Sequence, residues 1–69
     1  MNQKQLRLNM KRMRRARQVT QAQLADLCGM NPRHIGAMEQ GKRAADRETL
    51  ALFCRVLDWP MEELLWKTE

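Results

Sequence analysis

The sequence predicts an all-α fold, a compact bundle of five short helices forming one domain over residues 1–69. Three observations lead there. Apolar residues recur at spacings of three and four, helix-cap signatures punctuate the chain at short intervals, and no stretch alternates apolar and polar residues as a half-buried strand does. A chain of 69 residues has room for one small core, which puts any function on a surface rather than in a deep cleft. Hydrophobic residues are 43% and charged residues 30%, with 3 Gly and 2 Pro, a balance that suits a folded domain and not a disordered one.

The first helix is expected from about Lys4 to Arg17, where Leu6, Met10 and Met13 form one apolar stripe on an otherwise basic surface. "VTQAQL" opens the second. Thr20 is its N-cap, Gln23 completes a capping box, and Val19 and Leu24 are placed as a hydrophobic staple. Leu24, Ala25 and Cys28 point inward until Gly29, the residue best suited to a left-handed cap. Asn31 then caps a third helix with Pro32 at its first position, Met30 and Ile35 as a second staple, and Ile35 and Met38 inward as far as Gly41. Two short helices joined so tightly cross steeply. After "GKRAA", Asp46 caps a fourth helix whose inner face is Leu50, Phe53, Cys54 and Leu57. "DWP" breaks it, and "MEELLW" reads as a short fifth helix with Leu64 inward and Pro60 where a capping side chain would stand.

Charge is unevenly divided. Residues 1–43 hold ten basic side chains against two acidic ones, a net +8, whereas the remainder hold three against six, a net −3. The basic part is suited to a polyanion, and nucleic acid is the usual one. No apolar run is long enough for a transmembrane helix and the basic N-terminus lacks the apolar segment of a secretory signal, so no membrane is expected. Cys28 and Cys54 have neither CxxC spacing nor a histidine at ligand spacing, so no metal site is expected. They read as buried, reduced thiols of a cytoplasmic protein, with a disulfide between them as the alternative. The single histidine, His34, has no nucleophile or carboxylate at useful spacing, and no Gly-rich phosphate loop is present. Neither catalysis nor a cofactor nor a small-molecule ligand is expected.

The two short helices and tight turn over about residues 20–40 have the helix-turn-helix arrangement. From Leu6 to Leu65 the chain resembles the XRE-like family of DNA-binding domains, the phage lambda and 434 repressor and Cro type. The resemblance is carried by "TQAQLADLCGMNPRHIGAMEQGKR" and "ETLALFCRVLDWPMEELL", with Gln21, Ala25, Gly29, Ile35, Glu39 and Gly41 at the family's spacings. It implies a lambda-repressor-like bundle that binds double-stranded DNA sequence-specifically as a transcriptional regulator. The expected form is a small homodimeric repressor on a palindromic operator, in the cytoplasm and on the nucleoid, encoded by a bacterium or a phage.

In that family the helix holding Asn31 to Gln40 lies in the major groove. The resemblance implies base contacts from Pro32, Arg33 and Ala37, with His34 at the margin. Arg33 is the strongest candidate reader, because a guanidinium bonds bidentately to guanine O6 and N7. Pro32 departs from the pattern, since many relatives carry a hydrogen-bonding side chain there and proline offers only apolar contact. Thr20, Gln21, Gln40, Lys42 and Arg43 fall where relatives hold phosphates. Arg14 and Glu39 fall where relatives pair an arginine with a glutamate, and the pairing answers a physical need, because an anion in the last turn of a helix opposes the dipole and repels DNA. The other basic residues of the first helix read as a solvated face, with Arg7, Lys11 and Arg15 as candidates to lie near the DNA backbone.

Domains of this kind usually bind as two-fold dimers. Leu52 sits where its helix normally shows a polar side chain, and Met61, Leu65 and Trp66 crowd the outer side of the last helix, making these four the candidate dimer contacts. Leu27 is exposed in the same reading without a role. Two alternatives are weighed against DNA regulation. One is a protein-interaction module, such as an antitoxin-like partner that also represses its own operon, although the chain ends three residues after Trp66 without an arm to wrap a partner. The other treats "LRLNMKRMRRAR" as a basic amphipathic helix for a membrane or a calmodulin-like partner, although its narrow stripe is needed for the core.

Overall fold

The computed structural model describes residues 2–69. Among them are five helices and no strand: α1 (Gln3–Ala16), α2 (Gln21–Cys28), α3 (Pro32–Glu39), α4 (Arg47–Val56) and α5 (Met61–Leu64). None is long and apolar enough to cross a membrane. α1 packs on α3 and α5, α2 on α3 and α4, and α4 on α5.

Local chemistry sets each helix start. Asn2, one residue earlier than the sequence pattern suggests, caps α1 by accepting the Gln5 N–H at 3.0 Å. Thr20 and Gln23 form the full capping box of α2, at 3.0 Å from the Gln23 N–H to the hydroxyl and 2.8 Å from the Thr20 N–H to the Gln23 amide oxygen. Asn31 caps α3 with Pro32 following it, and the Asp46 carboxylate accepts the Thr49 N–H at 2.7 Å to start α4. α5 has no side-chain cap, because Pro60 occupies that position, and it lasts a single turn instead of continuing to Trp66.

The first four helices stop by one device, in which the residue after the last turn turns left-handed and two backbone bonds close back onto the helix. At α2 the residue is Gly29 (φ 64°), with Met30 N–H bonding the Ala25 carbonyl and Gly29 N–H that of Asp26. At α3 it is Gly41 (φ 78°), with Lys42 bonding Ala37 and Gly41 bonding Met38. α1 and α4 do the same with Gln18 (φ 57°) and Asp58 (φ 50°), side-chain-bearing residues that are strained in this region.

The core is built from one stripe of each helix. Leu6, Met10 and Met13 of α1 meet Leu24 and Ala25 of α2, Ile35 and Met38 of α3, Leu50, Phe53 and Cys54 of α4, together with Leu57 and Leu64. Cys28, expected fully inward, is half-buried at the edge of this cluster, because α2 ends there. Both cysteines are free thiols.

Two polar side chains, Asn9 buried and Arg17 exposed, tie the C-terminal part to α1 and its cap. Asn9, 3% exposed, donates to the carbonyls of Leu64 (3.0 Å) and Trp66 (2.7 Å) and accepts from the Gln5 amide. Arg17 donates to the carbonyls of Leu57 and Asp58, both at 2.7 Å, and lays its guanidinium 4.9 Å from the centre of the Trp59 ring. These bonds satisfy carbonyls left free where α4 and α5 end.

The expected apolar crowd on the outer side of the last helix is thinner than its sequence suggests. A one-turn helix returns its flanking side chains to the bundle, so Met61 and Leu65 are half-buried against the core. Trp66 remains 49% exposed, with Arg12 and Lys67 set against its ring at 5.7 and 4.7 Å. Leu52 lies elsewhere, half-buried in an open depression it shares with Met30, Ala51 and Arg55.

Two expectations follow for stability. Gln18→Gly relieves a left-handed side chain at an exposed position, and raises stability by up to about 1 kcal/mol, read as a higher urea midpoint at unchanged slope. The hydrogen bond from Thr49 holds the Asp46 carboxyl below its ordinary value, with a smaller contribution from Arg43. A depressed acid stabilises above its unfolded pKa and loses that contribution as pH falls through the folded value. Asp46→Asn, which keeps a cap without the charge, therefore flattens the acid limb of the stability profile, measured by denaturation between neutral and acid pH.

Candidate nucleic-acid interface

Three elements set the interface: the start of α2, the tight turn at Gly29 and Met30, and the length of α3. Asn31 accepts the Arg33 N–H at 2.9 Å through its side chain, and its own carbonyl accepts the His34 N–H at 2.9 Å. The start of α3 is thereby set by Asn31 and Pro32 before any outward-facing side chain is involved. Pro32 and Arg33 are exposed, while His34 and Ala37 are half-buried.

Glu39 ends α3 as a buried residue, its side chain 1% exposed. An isolated carboxylate there would be expensive, both for its lost hydration and for its place at the negative end of the helix dipole. Arg14 meets it with two charge-assisted bonds, Nε to Oε2 at 2.8 Å and Nη2 to Oε1 at 3.0 Å. Gln21 adds a third, Nε2 to Oε1 at 3.1 Å. The remaining Nη1 of Arg14 donates to the Val19 carbonyl at 3.0 Å, in the connection between α1 and α2. Chiefly through its bond with Glu39, the Arg14 guanidinium is raised above its already high pKa, so it stays cationic. Among the described residues this is the one ion pair, and it joins α1, α2 and α3 at a single carboxylate.

Gly36 lets α2 and α3 approach at this place. A Cβ there would stand 3.3 Å from the Gln21 amide oxygen, a tight contact that would press on the side chain bracing Glu39.

Gln21, Pro32, Arg33, Gly36, Ala37, Gln40 and Lys42 line one wide, shallow depression of about 450 Å³. The structure thus brings together three of the four base-reading candidates of α3 and three of the five phosphate-holding candidates. Its charged members are Arg33 and Lys42, since the one nearby carboxylate is buried and paired. Free donors from a guanidinium, an ammonium and two amides on an open surface fit an extended polyanion better than an enclosed small molecule. Thr20 and His34 lie outside this set; the Thr20 hydroxyl is engaged in its capping box. Arg43 is exposed and lines a neighbouring depression instead. Leu52 and Trp66 line two further depressions, separate from this one.

A helix-turn-helix domain family model matches residues 5–66. The chain belongs to the helix-turn-helix domain family. No curated protein and no solved structure matches it. The match takes in all of α2 to α5 and all but the first two residues of α1. DNA binding is the function that membership of the helix-turn-helix family supports. Within this helix-turn-helix domain, sequence reasoning passed over Asn9 and Arg17, which bond backbone carbonyls about 40 to 57 residues away along the chain. The available signal was a polar residue within a buried stripe, as Asn9 is beside Leu6, Met10 and Met13.

Burial pushes the Cys28 and Cys54 thiols above their ordinary pKa, which keeps them protonated and weakly reactive at neutral pH. For the ion pair the expectation is a large effect. Glu39→Ala strands a partly buried guanidinium and costs about 3 kcal/mol or more, measured by denaturant unfolding. A double change of Arg14 and Glu39 to methionine costs clearly less than the sum of the single changes.

Proposed function

We propose that this helix-turn-helix chain is a sequence-specific regulator of transcription, a small homodimeric repressor that occupies a palindromic operator in double-stranded DNA. The observation that carries the reading is the shared depression at α3, where Arg33 and Ala37 stand beside Gln21, Gln40 and Lys42. Arg33 is exposed at the first turn of α3 and is suited to reading guanine, Ala37 to meeting a thymine methyl, and Pro32 to apolar contact. His34 flanks them as a marginal base contact. Gln21, Gln40 and Lys42, with Thr20 and Arg43 at the edges, hold phosphates and so set the register of α3 on the duplex. Arg14 orients this surface through Glu39 and Gln21.

The mechanism is binding without chemistry, cofactor or metal, with the whole of residues 1–69 acting as one domain in the cytoplasm of a bacterium or of a phage host. Two copies related by a two-fold axis place their α3 helices in successive major grooves, roughly 34 Å apart. Trp66 is the exposed member of the candidate dimer contacts, and Leu52, Met61 and Leu65 are half-buried. Occupancy of the operator then blocks polymerase, and protein concentration controls occupancy.

Selection of bound sites from random duplex tests the reading, because one experiment returns specificity, palindromy and half-site spacing together. Arg33→Ala is expected to cost about 1–3 kcal/mol in binding and to relax preference at one base position, while Gln21→Ala weakens all sites alike. Equal loss on every duplex for both variants would overturn the assignment of α3 as reader. Absence of duplex binding would favour a protein-interaction module of the antitoxin type.

A further inference from the structure

We propose that Arg7 and Arg43, meeting beside Gly41, form a second phosphate site that extends the DNA footprint from α3 onto the first turns of α1. The inference rests on the DNA-binding reading above. It is carried by where the Arg7 guanidinium lies. A Cβ placed on Gly41 would stand 2.8 Å from Arg7 Nη1, 2.9 Å from Cζ and 3.2 Å from Nε, so the planar group rests against the backbone of the turn that closes α3. Any side chain at position 41 would displace it, in addition to being strained at φ 78°.

Arg7 is also uncommitted. The cations of Arg14 and Arg17 are engaged by Glu39 and by the carbonyls closing α4, whereas Arg7 makes no hydrogen bond or ion pair with any other described residue. A half-buried arginine whose guanidinium lies against the turn, with no donor given to another described residue, has its hydrogen-bonding capacity open to an anion.

The third observation is the company Arg7 keeps. Together with Gln3 and Arg43 it rims a small depression of about 140 Å³ floored by Leu6, Met10 and Met38. Two guanidiniums and an amide over an apolar floor match a phosphate group in chemistry. Asp46 lies near enough to feel the charge of Arg43, but its carboxylate is engaged mainly by Thr49 at the start of α4. Gly41 belongs to this depression and Lys42, the next residue, to the one at α3. The two sites are therefore continuous across one peptide unit, which favours a phosphodiester of the same duplex as the ligand. Lys11 and Arg15, the other α1 candidates, line a different depression on the outer face with Leu8, Arg12 and Ala16, away from this continuity.

The test is the salt dependence of full-length protein on its selected duplex, with fold checked by denaturation for each variant. Arg7→Gln is expected to lower the magnitude of the log K against log salt slope by about 1, to weaken every duplex alike, and to leave the selected sequence unchanged. Lys11→Gln and Arg15→Gln are expected to leave the slope as it is. Phosphate-ethylation interference on the same duplex is expected to show a modified phosphate that blocks the wild-type protein and not Arg7→Gln, a readout that a mere loss of stability does not produce. A wild-type slope for Arg7→Gln, or an equal fall for all three variants, would overturn the site while leaving DNA binding intact. Failure of the wild-type protein to bind duplex at all, inorganic phosphate binding included or not, would overturn this site and the DNA reading together.

Discussion

One buried carboxylate holds the first three helices together. Glu39 sits where an anion is least welcome, at the C-terminal end of a helix and out of water, so it must be surrounded by donors to exist there at all. Arg14 and Gln21 supply them, and in doing so they fix α1, the connection at Val19, α2 and α3 relative to one another. Packing alone tolerates small slides between short helices; a bidentate arginine and a shared carboxylate oxygen do not. The consequence is geometric as much as energetic, because Gln21 and Arg33 lie on different helices and yet line the same depression.

The other half of the molecule is secured by different means. α4, α5 and the residue after α4 contribute Leu50, Phe53, Cys54, Leu57 and Leu64 to the core, and the carbonyls at their C-terminal ends are bonded by Asn9 of α1 and by Arg17, which caps it. α1 is thus the common strut, meeting α3 through an ion pair and α5 through amide-to-carbonyl bonds. Charge is divided along the chain, since the basic excess lies in residues 1–43, which include α2 and α3, and the acidic excess falls on the part furthest along the chain. An uneven distribution of this kind orients the molecule toward a polyanion before contact is made.

Much of this was legible in the sequence because it is local. The capping box of Thr20 and Gln23, the Asn31 and Pro32 start, the Gly29 stop and the Asp46 cap each depend on residues a few positions apart, and spacing reveals them directly. The heptad-like stripe of α1 and the inner face of α4 were equally plain. Features that join distant residues were not. Nothing in the composition of α1 says that Asn9 bonds the carbonyl of Trp66, or that Arg17 completes the end of α4, since a carbonyl acceptor has no sequence signature. The exposure of the residues around the last helix is hard to read from sequence for a related reason. Whether Met61 and Leu65 face water depends on α5 lasting one turn or two, and a proline at its start left that length to tertiary packing.

The start of α3 separates two duties that often share residues. Asn31 and Pro32 define the helix by backbone geometry, Ile35 and Met38 anchor it, and Glu39 locks its far end, which leaves Arg33, His34 and Ala37 with little part in holding the fold. Integrity of the domain and the proposed preference for an operator are consequently assigned to different positions. On the proposed function, a lineage carrying this chain is free to drift among operators by substitutions at three sites, without first accumulating compensating changes in the core.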